Sequence, residues 1–207
     1  MNKSLNTLFA ALLIASAGNV MAASSVDLTV KGLITPSACE PNLSNGGVAD
    51  IGKISAKDLN ADQPTNLAQQ NLQLTVTCDA ATLMAMELTD NRPGSNYEDY
   101  IGAYGLGLIN GTEKLGDMEI RIINPVADSV AAKMIASQDG GLTWFSDRYF
   151  MRDNILSVAN TSADVPIPVQ LFTGDLYIAP RIAPTSGLTL NNEVDIDGSA
   201  TLTVKYL

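Results

Sequence analysis

The sequence predicts an all-β protein, an antiparallel β-sandwich, and three observations support this fold class. Apolar and polar residues alternate with a period of two in several short segments, whereas helical periodicity is almost absent after the first 22 residues. Clusters of Gly, Asn, Asp and Pro separate these segments. Hydrophobic residues make up 46% of the 207 residues and charged residues 16%, a composition that supports a packed core.

The segments with period-two alternation are the expected strands. The first carries Val26, Leu28 and Val30 on one face, continued by Gly32 and Ile34. The other expected strands are residues 72–78, 83–88, 118–123, 165–172, 176–182 and 200–207. The expected turns are residues 44–47, 91–94, 110–111, 139–141 and 173–175.

Two features qualify this pattern of strands. Pro166 and Pro168 place the strand at 165–172 at an edge or a bulge, because proline cannot donate a ladder hydrogen bond. Helix is possible only in short pieces, such as residues 127–134. No internal repeat is visible, so the chain after residue 22 is interpreted as a single domain.

The charge balance and the absence of histidine exclude several classes of function. The net charge is −10, from 22 acidic and 12 basic residues, and an acidic surface repels the phosphates of nucleic acids and anionic membranes. Without histidine, a Ser-His-Asp or Cys-His nucleophile pair and a histidine-containing metal site are excluded. We therefore expect no nucleic-acid partner, and much familiar enzyme chemistry is ruled out. We also expect no cofactor, no metal site and no enzymatic activity.

The first 22 residues have the composition of an export signal. Lys3 gives a positive start, residues 5–17 are nearly all apolar, and Val20 and Ala22 provide the small residues that a signal peptidase reads. Cleavage is expected after Ala22. The alternative is a retained anchor, but the apolar run is too short to span a bilayer, so no membrane insertion is expected.

Export would deliver the two cysteines of the sequence to an oxidising compartment. Cys39 and Cys78 are therefore expected to form a disulfide. Closing a loop of this length stabilises a fold by about 4 kcal/mol in the chain-entropy model. The alternative is a pair of buried free thiols.

The last segment alternates in the same way as the first. Ala200, Leu202, Val204 and Tyr206 share one face, and the sequence ends at Leu207. At the other end, the strand-like stretch at residues 23–31 has to pair with a sheet or remain a mobile tail.

The two ends and the cysteine loop resemble the subunits of chaperone-usher fimbriae (pili). The resemblance rests on Val-Lys-Gly-Leu-Ile at 30–34 and Pro-Ser-Ala-Cys at 36–39, with Gly32 seven positions before Cys39. The second cysteine and the penultimate Tyr206 complete the pattern. Residues 90–160 are more similar to a poorly characterised fimbrial-like branch than to a major pilin. The sequence also departs from the family at Val194, where the family has a glycine upstream of its last strand.

The resemblance implies an incomplete immunoglobulin-like antiparallel β-sandwich, which is the pilin-like fold. It also implies a division of the chain into a signal peptide at 1–22, an amino-terminal donor-strand extension at 23–35 and a pilin-like domain at 36–207. Subunits of this family lack their last strand, so a hydrophobic groove stays open along the core. A periplasmic chaperone lends a strand to that groove, and the extension of the next subunit later replaces it at the outer-membrane usher.

Residue roles follow from the same resemblance. Val26, Leu28, Val30 and Ile34 would insert into a neighbour's groove, and Gly32 would permit close backbone approach. The strand ending at Tyr206 would border the groove, with Leu202 and Val204 facing it, and the carboxylate of Leu207 would bind the chaperone. The alternative is that residues 26–34 pair within their own domain.

A further motif, Ser137-x-Asp139-x-Gly141-x-x-Trp144, is similar to the Asp-box hairpin of sialidase propellers. A single copy in a chain of this length favours a structural hairpin over a propeller blade. In such a hairpin the aspartate caps the turn and the tryptophan packs inward.

Three weaker signals are interpreted structurally. The acidic series Glu193, Asp195 and Asp197 resembles the start of a calcium loop but lacks a glutamate at the twelfth position, so solvated turn carboxylates are favoured. The run Gly-Leu-Gly at 105–107 indicates a turn or a bulge rather than a dinucleotide site. The aromatic residues near Trp144 are expected to pack in the core rather than form a sugar-stacking patch. They are Trp144, Phe145, Tyr149 and Phe150.

The sequence thus favours an exported structural fimbrial-like subunit, with a periplasmic chaperone, an usher and other fimbrial subunits as partners. Its expected location is the periplasm and then the fimbrium at the bacterial cell surface. The alternative is a secreted or fimbrial-tip carbohydrate-binding module. A glycoside hydrolase would need two carboxylates about 5 to 10 Å apart, and nothing in the sequence singles out such a pair.

Overall fold

Fourteen strands and three short 3₁₀ turns make up the part of the chain that the computed structural model describes, which is Thr29 and residues 38–207. The strands are β1 Cys39–Leu43, β2 Thr65–Asn66, β3 Gln70–Thr82, β4 Met84–Asp90, β5 Tyr104–Gly105, β6 Leu108–Ile109, β7 Glu113–Lys114, β8 Gly116–Ala127, β9 Val130–Ala131, β10 Lys133–Ser137, β11 Phe145–Ser146, β12 Ile155–Ala159, β13 Val169–Ile182 and β14 Ala200–Tyr206. The 3₁₀ turns are Ser44–Gly47, Ala56–Asp58 and Thr185–Gly187. The expected strand at 26–34 lies outside the described residues.

Two sheets pack face to face. The first has the order β1-β3-β13-β8-β5, with β2 also on β13 and β9 also on β8, and the second has the order β11-β10-β12-β4-β14. β6 and β7 form a separate hairpin. All pairings between these strands are antiparallel. The predicted fold class is confirmed: the protein is all-β, an incomplete immunoglobulin-like antiparallel β-sandwich.

Period-two alternation places the core between the sheets. In β3 every second residue from position 72 to 78 is buried, and in β13 every second residue from position 172 to 182 is buried. Side chains at these positions meet those of the opposite sheet, and removing them from water drives the packing. The largest fully buried side chains include Tyr104, Phe150, Phe172, Leu74, Met86 and Leu156.

The short helix that the sequence left possible at 127–134 does not form, because β9 and the start of β10 occupy these residues. Asp128 and Ser129 have positive φ angles, 47° and 69°, and connect β8 to β9 as a two-residue hairpin turn. The Asp128 carboxylate accepts a hydrogen bond from the Leu171 amide of β13 at 2.8 Å. This contact stabilises a backbone conformation that a helix would not allow.

The turn expected at 173–175 is also wrong, because β13 runs unbroken through it. Gly174 lies opposite Leu74 at an irregularity of the β13 and β8 pairing. A Cβ atom at this position would lie 2.9 Å from Cγ2 of Ile122, so the glycine marks a close approach within a strand. The strand expected at 165–172 begins only at Val169, and before it Pro166 forms one isolated bridge with Ala159.

The other expected turns and strands of the described residues are confirmed, with boundaries shifted by a few residues. Left-handed backbone occurs at Gly94, Asn110, Gly111 and Gly140, where turns were expected. Within residues 38–207, no helix has the length and hydropathy needed to cross a membrane.

Candidate functional site

Each sheet ends in a strand that has one open edge, and the two edges lie on the same side of the sandwich. Among the described residues, β1 pairs only with β3 and β14 pairs only with β4. The two strands meet where the backbone amide of Cys39 donates a hydrogen bond to the Tyr206 hydroxyl at 2.9 Å. An edge strand leaves backbone N–H and C=O groups available to a further strand.

An apolar groove of about 880 Å³ lies beside β14. Its floor consists of apolar side chains from both sheets, among them Leu72, Leu88, Met118, Ile120, Leu176 and Leu202. Five of these six belong to the buried core, so the groove is a part of the core surface that can be reached from outside. Its rim carries the charged residues Asp50, Lys53, Glu193 and Asp195, all exposed.

One side of the groove is formed by residues 190–199, here called the carboxyl-terminal wall. Nε and Nη2 of Arg92 donate to the two carboxylate oxygens of Asp197 at 2.8 and 2.7 Å. The Asp197 amide also donates to the Leu106 carbonyl at 3.1 Å. The hydrogen bonds from Arg92 lower the pKa of Asp197 below its usual range, so this carboxylate stays ionised.

The opposite side is formed by residues 47–56, here called the amino-terminal wall. Ala49 packs against the core, whereas Ile51 and Ile54 line the groove. Lys53 Nζ lies 3.0 Å from Glu193 Oε1, so one ion pair joins the two walls across the rim. This wall was not predicted from the sequence. The only signal for it is the pair Ile51 and Ile54 in the stretch that follows Gly46 and Gly47.

The residues expected to border the groove lie along β14 in three different settings. Ala200 and Leu202 line the groove, whereas Val204, two residues further on the same face, packs against the core away from the groove. The side chain of Tyr206 is exposed, and its hydroxyl accepts the hydrogen bond from the Cys39 amide. Leu207 is half-exposed, and its amide donates to the Leu83 carbonyl at 3.1 Å.

The expected donor residues Val26, Leu28, Val30, Gly32 and Ile34 lie outside the described residues. Their assignment to a donor strand therefore stays a prediction.

The predicted disulfide is confirmed. Cys39 and Cys78 are bonded, and they face each other in register across β1 and β3. The bond closes a loop with a sequence separation of 39 and fixes β1 to its sheet. Structural disulfides are typical of oxidising compartments, which indicates an exported protein.

The predicted hairpin at Ser137 to Trp144 is confirmed as a turn capped by its aspartate. The Asp139 carboxylate accepts hydrogen bonds from the amides of Leu142 and Thr143 and from the hydroxyls of Ser137 and Thr143. These donors, led by the Thr143 hydroxyl, hold the pKa of Asp139 well below its usual range. The Gly141 amide donates a hydrogen bond to the Ser137 hydroxyl.

The aromatic residues of this region do not form one surface patch. Trp144 is half-buried and its indole N–H donates to the Gly141 carbonyl, which uses the polar atom of the ring inside the hairpin. Phe150 is buried, as expected, but the expectation of core packing is wrong for Phe145, which is exposed. Tyr149 makes a cation–π contact with Arg121, whose Cζ lies 5.2 Å from the centroid of the tyrosine ring.

Two of the three carboxylates in the acidic series before β14 form ion pairs with basic side chains. Glu193 pairs with Lys53 and Asp197 pairs with Arg92. Within the described residues, no group of three or more Asp, Glu, Cys or His residues is arranged to hold a metal ion. The run at 105–107 forms the expected irregular turn, with Gly107 at a φ of 93°.

Sequence comparison matches the chain to a protein family and to two proteins of Escherichia coli. Residues 28–105 match the family described as "Protein of unknown function (DUF1120)". The chain is 28% identical to "Protein GltF" of Escherichia coli (strain K12) over 242 aligned positions, which cover 95% of each protein. It is 26% identical to "Uncharacterized protein YhcF" of the same strain, with 91% of this chain and 93% of that protein covered.

These similarities extend over most of the chain. Both relatives align over more than nine tenths of their own length and over more than nine tenths of this chain. The family match, in contrast, ends at Gly105 in β5.

Proposed function

We propose that the protein is a non-enzymatic structural subunit that accepts a strand from another polypeptide in its apolar groove and is thereby assembled into a fimbrial-like polymer at the bacterial cell surface. The observation that carries the proposal is the groove itself, which lies beside the open edge of β14 and reaches apolar side chains of the sandwich core. A sandwich that has an unpaired sheet edge and an accessible core lacks one strand. An added strand would pair with that edge and cover the core.

The added strand would bind in two ways at once. Its backbone would pair with the free N–H and C=O groups of β14, and its alternate side chains would enter the groove over Leu72, Leu176 and Leu202. Each Val or Leu side chain buried there contributes about 1.5 to 3 kcal/mol. Three or four such side chains make the complex very long-lived.

The proposed donor is residues 23–35 of another copy or of a related subunit. The alternation of Val26, Leu28 and Val30 fits a strand with one apolar face, and Gly32 would let two backbones approach closely. Before assembly a periplasmic chaperone would occupy the same groove, and an outer-membrane usher would support the exchange.

A complementation experiment tests the acceptor role. The chain is expressed from residue 36 onward, a synthetic peptide of residues 23–35 is added, and the melting temperature is measured. The peptide should raise the melting temperature markedly, because it binds only the folded state. A matched peptide with Leu28→Asp should have little effect. An unchanged melting temperature with the natural peptide would contradict the proposal.

A second experiment tests the donor role in the full chain. Gly32→Val should abolish polymers detected by size-exclusion chromatography with light scattering, while the circular dichroism of the monomer stays the same. Gly187→Val is the control, since a Cβ atom there meets nothing within 4 Å. Polymers of normal size from Gly32→Val would argue against the donor assignment.

A further inference from the structure

The two walls of the groove are anchored very differently. The carboxyl-terminal wall is held by the paired hydrogen bonds between Arg92 and Asp197 and by backbone hydrogen bonds at Asp197 and Ser199. In the amino-terminal wall, the only backbone amide of residues 49–54 with a hydrogen bond within the described chain is that of Gly52, and its acceptor is the nearby Asp50 side chain. Few backbone hydrogen bonds and exposed polar groups mark segments that open at low free-energy cost.

Within the described residues, side-chain contacts hold segment 49–54 of the amino-terminal wall over the groove. Ala49 packs against the core, while Ile51 and Ile54 are half-buried and line the groove. Left-handed glycines precede and interrupt the segment: Gly46, Gly47 and Gly52 have φ angles of 61°, 78° and 72°. Glycine tolerates large changes of φ and ψ, so these positions can act as hinges.

One ion pair ties this wall to the anchored one. The Lys53 and Glu193 side chains are 88% and 80% exposed, so their attraction is weak and screened by salt. Lys53 is also the only basic residue among the described residues that line the groove, whose charged members are otherwise Asp50, Glu193 and Asp195. Reversing its charge would therefore replace attraction by repulsion from the opposite wall.

We propose that residues 48–54 are a flap that covers the groove of the unassembled chain, latched by the Lys53 and Glu193 pair, and that the flap swings outward to admit an incoming strand. The closed flap shields the apolar floor from water and from unspecific contacts. The weak latch lets a specific strand displace it. The identity of the incoming strand rests on the proposed function, whereas the existence of the flap does not.

Thiol labelling in the full chain measures flap opening. Leu72→Cys places a thiol on the groove floor, where the leucine is 6% exposed, and Leu156→Cys places one in the closed core, where the leucine is 0% exposed. The natural cysteines are joined in the disulfide, so each variant has one free thiol. A bulky maleimide should label Leu72→Cys faster than Leu156→Cys, because flap opening exposes the first and only global unfolding exposes the second.

The latch is tested by charge reversal in the Leu72→Cys background. Lys53→Glu or Glu193→Lys alone should raise the labelling rate about two- to fivefold, and the double exchange should restore the original rate. Lys205→Glu is the matched control, because it breaks the comparably spaced pair with Glu87 on the outer face of β14, away from the groove. Equal rates in all four latch backgrounds, or equal rates for Leu72→Cys and Leu156→Cys, would overturn the flap.

A second measurement separates the flap from the proposed function. The rate at which a fluorescent peptide of residues 23–35 binds is measured in the full chain with the natural Leu72. Lys53→Glu should speed binding by the same factor as labelling. If the peptide binds no variant, the proposed function fails, and the labelling rates still decide the flap. If the peptide binds all variants at one rate, the flap does not gate strand entry.

Discussion

β12 and β14 flank the same strand, β4, yet their environments are opposite. Every residue of β12 is buried, whereas no residue of β14 is buried. β12 has β4 on one side and β10 on the other, and β14 has β4 alone among the described strands. Pairing on both edges and cover on both faces therefore distinguish a finished part of the sandwich from an unfinished part.

The hairpin at residues 137–146 covers one end of β12. Its Gly141 lies close to the ends of two strands, since a Cβ atom there would be 4.0 Å from Cδ1 of Ile155 and 3.4 Å from Cδ2 of Leu207. Within the described residues, β14 in contrast has no strand paired with its outer edge. The same sheet thus contains one strand completed by its own chain and one that leaves room for another chain.

The largest expected effect comes from removing the disulfide on the open side. Replacing Cys39 and Cys78 together by Ala should lower the free energy of unfolding by about 4 kcal/mol, because the unfolded chain is no longer cross-linked. Chemical denaturation measures this loss. Since Cys39 also carries the hydrogen bond to Tyr206, amide exchange in β14 should increase more than in β12.

Reduction of the natural protein is the control for this double variant, and it should produce the same loss of stability. A loss below about 1 kcal/mol would show that β1 is held by other contacts and that the open side is more rigid than its single ladder indicates.

A pair of equivalent truncations compares the two strands directly. Leu156 of β12 and Leu202 of β14 both face inward and lie opposite Met86 and Leu88 of β4. Leu156→Ala should lower the free energy of unfolding by about 3 kcal/mol, because it leaves a closed cavity. Leu202→Ala should cost about 1 kcal/mol, because that side chain is only half-buried beside existing space.

Urea denaturation of the two variants gives these values. Equal losses would mean that the groove beside β14 is filled in solution as completely as the core around β12, which would contradict an open acceptor groove.

The sandwich was predictable because the buried positions of its strands are apolar and alternate with exposed polar positions in the sequence. β3, β8 and β13 alternate in period two, and the cysteine pair follows from export and cysteine count. The errors have local physical causes. Gly174 looked like a turn residue, but its missing Cβ makes room for Ile122 inside a strand. Asp128 and Ser129 looked helical, but their positive φ angles form a hairpin.

The groove was predictable only in part. The resemblance to fimbrial subunits implied that Leu202 borders it, and Leu202 does line the groove. The floor was not predictable, since Leu88, Leu106 and Met118 come from three separate strand regions and meet only through the topology of the sheets. The amino-terminal wall has no periodic signal at all, because a segment without ladder hydrogen bonds imposes no period on its side chains.

The smallest expected effect concerns the hairpin at residues 137–146. It is measured as the dependence of the melting temperature on pH in the acid range. The donors of this hairpin hold the pKa of Asp139 below the ordinary value, so folding favours the ionised form. The stabilisation is therefore complete at neutral pH and is lost as the pH falls below the ordinary aspartate range toward the lowered value. Asp139→Asn should lower the melting temperature at pH 7, and the difference from the natural protein should shrink below about pH 4.

Asp62→Asn is the control, because Asp62 is exposed in a loop and forms no hydrogen bond or ion pair with the described residues. Its melting temperature should match that of the natural protein at every pH. A difference for Asp139→Asn that persists unchanged at pH 3 would mean that the amide disturbs the turn for steric reasons. The cover over β12 would then depend on the shape of the hairpin rather than on the charge of its aspartate, and the finished side of the sheet would keep its protection in acid.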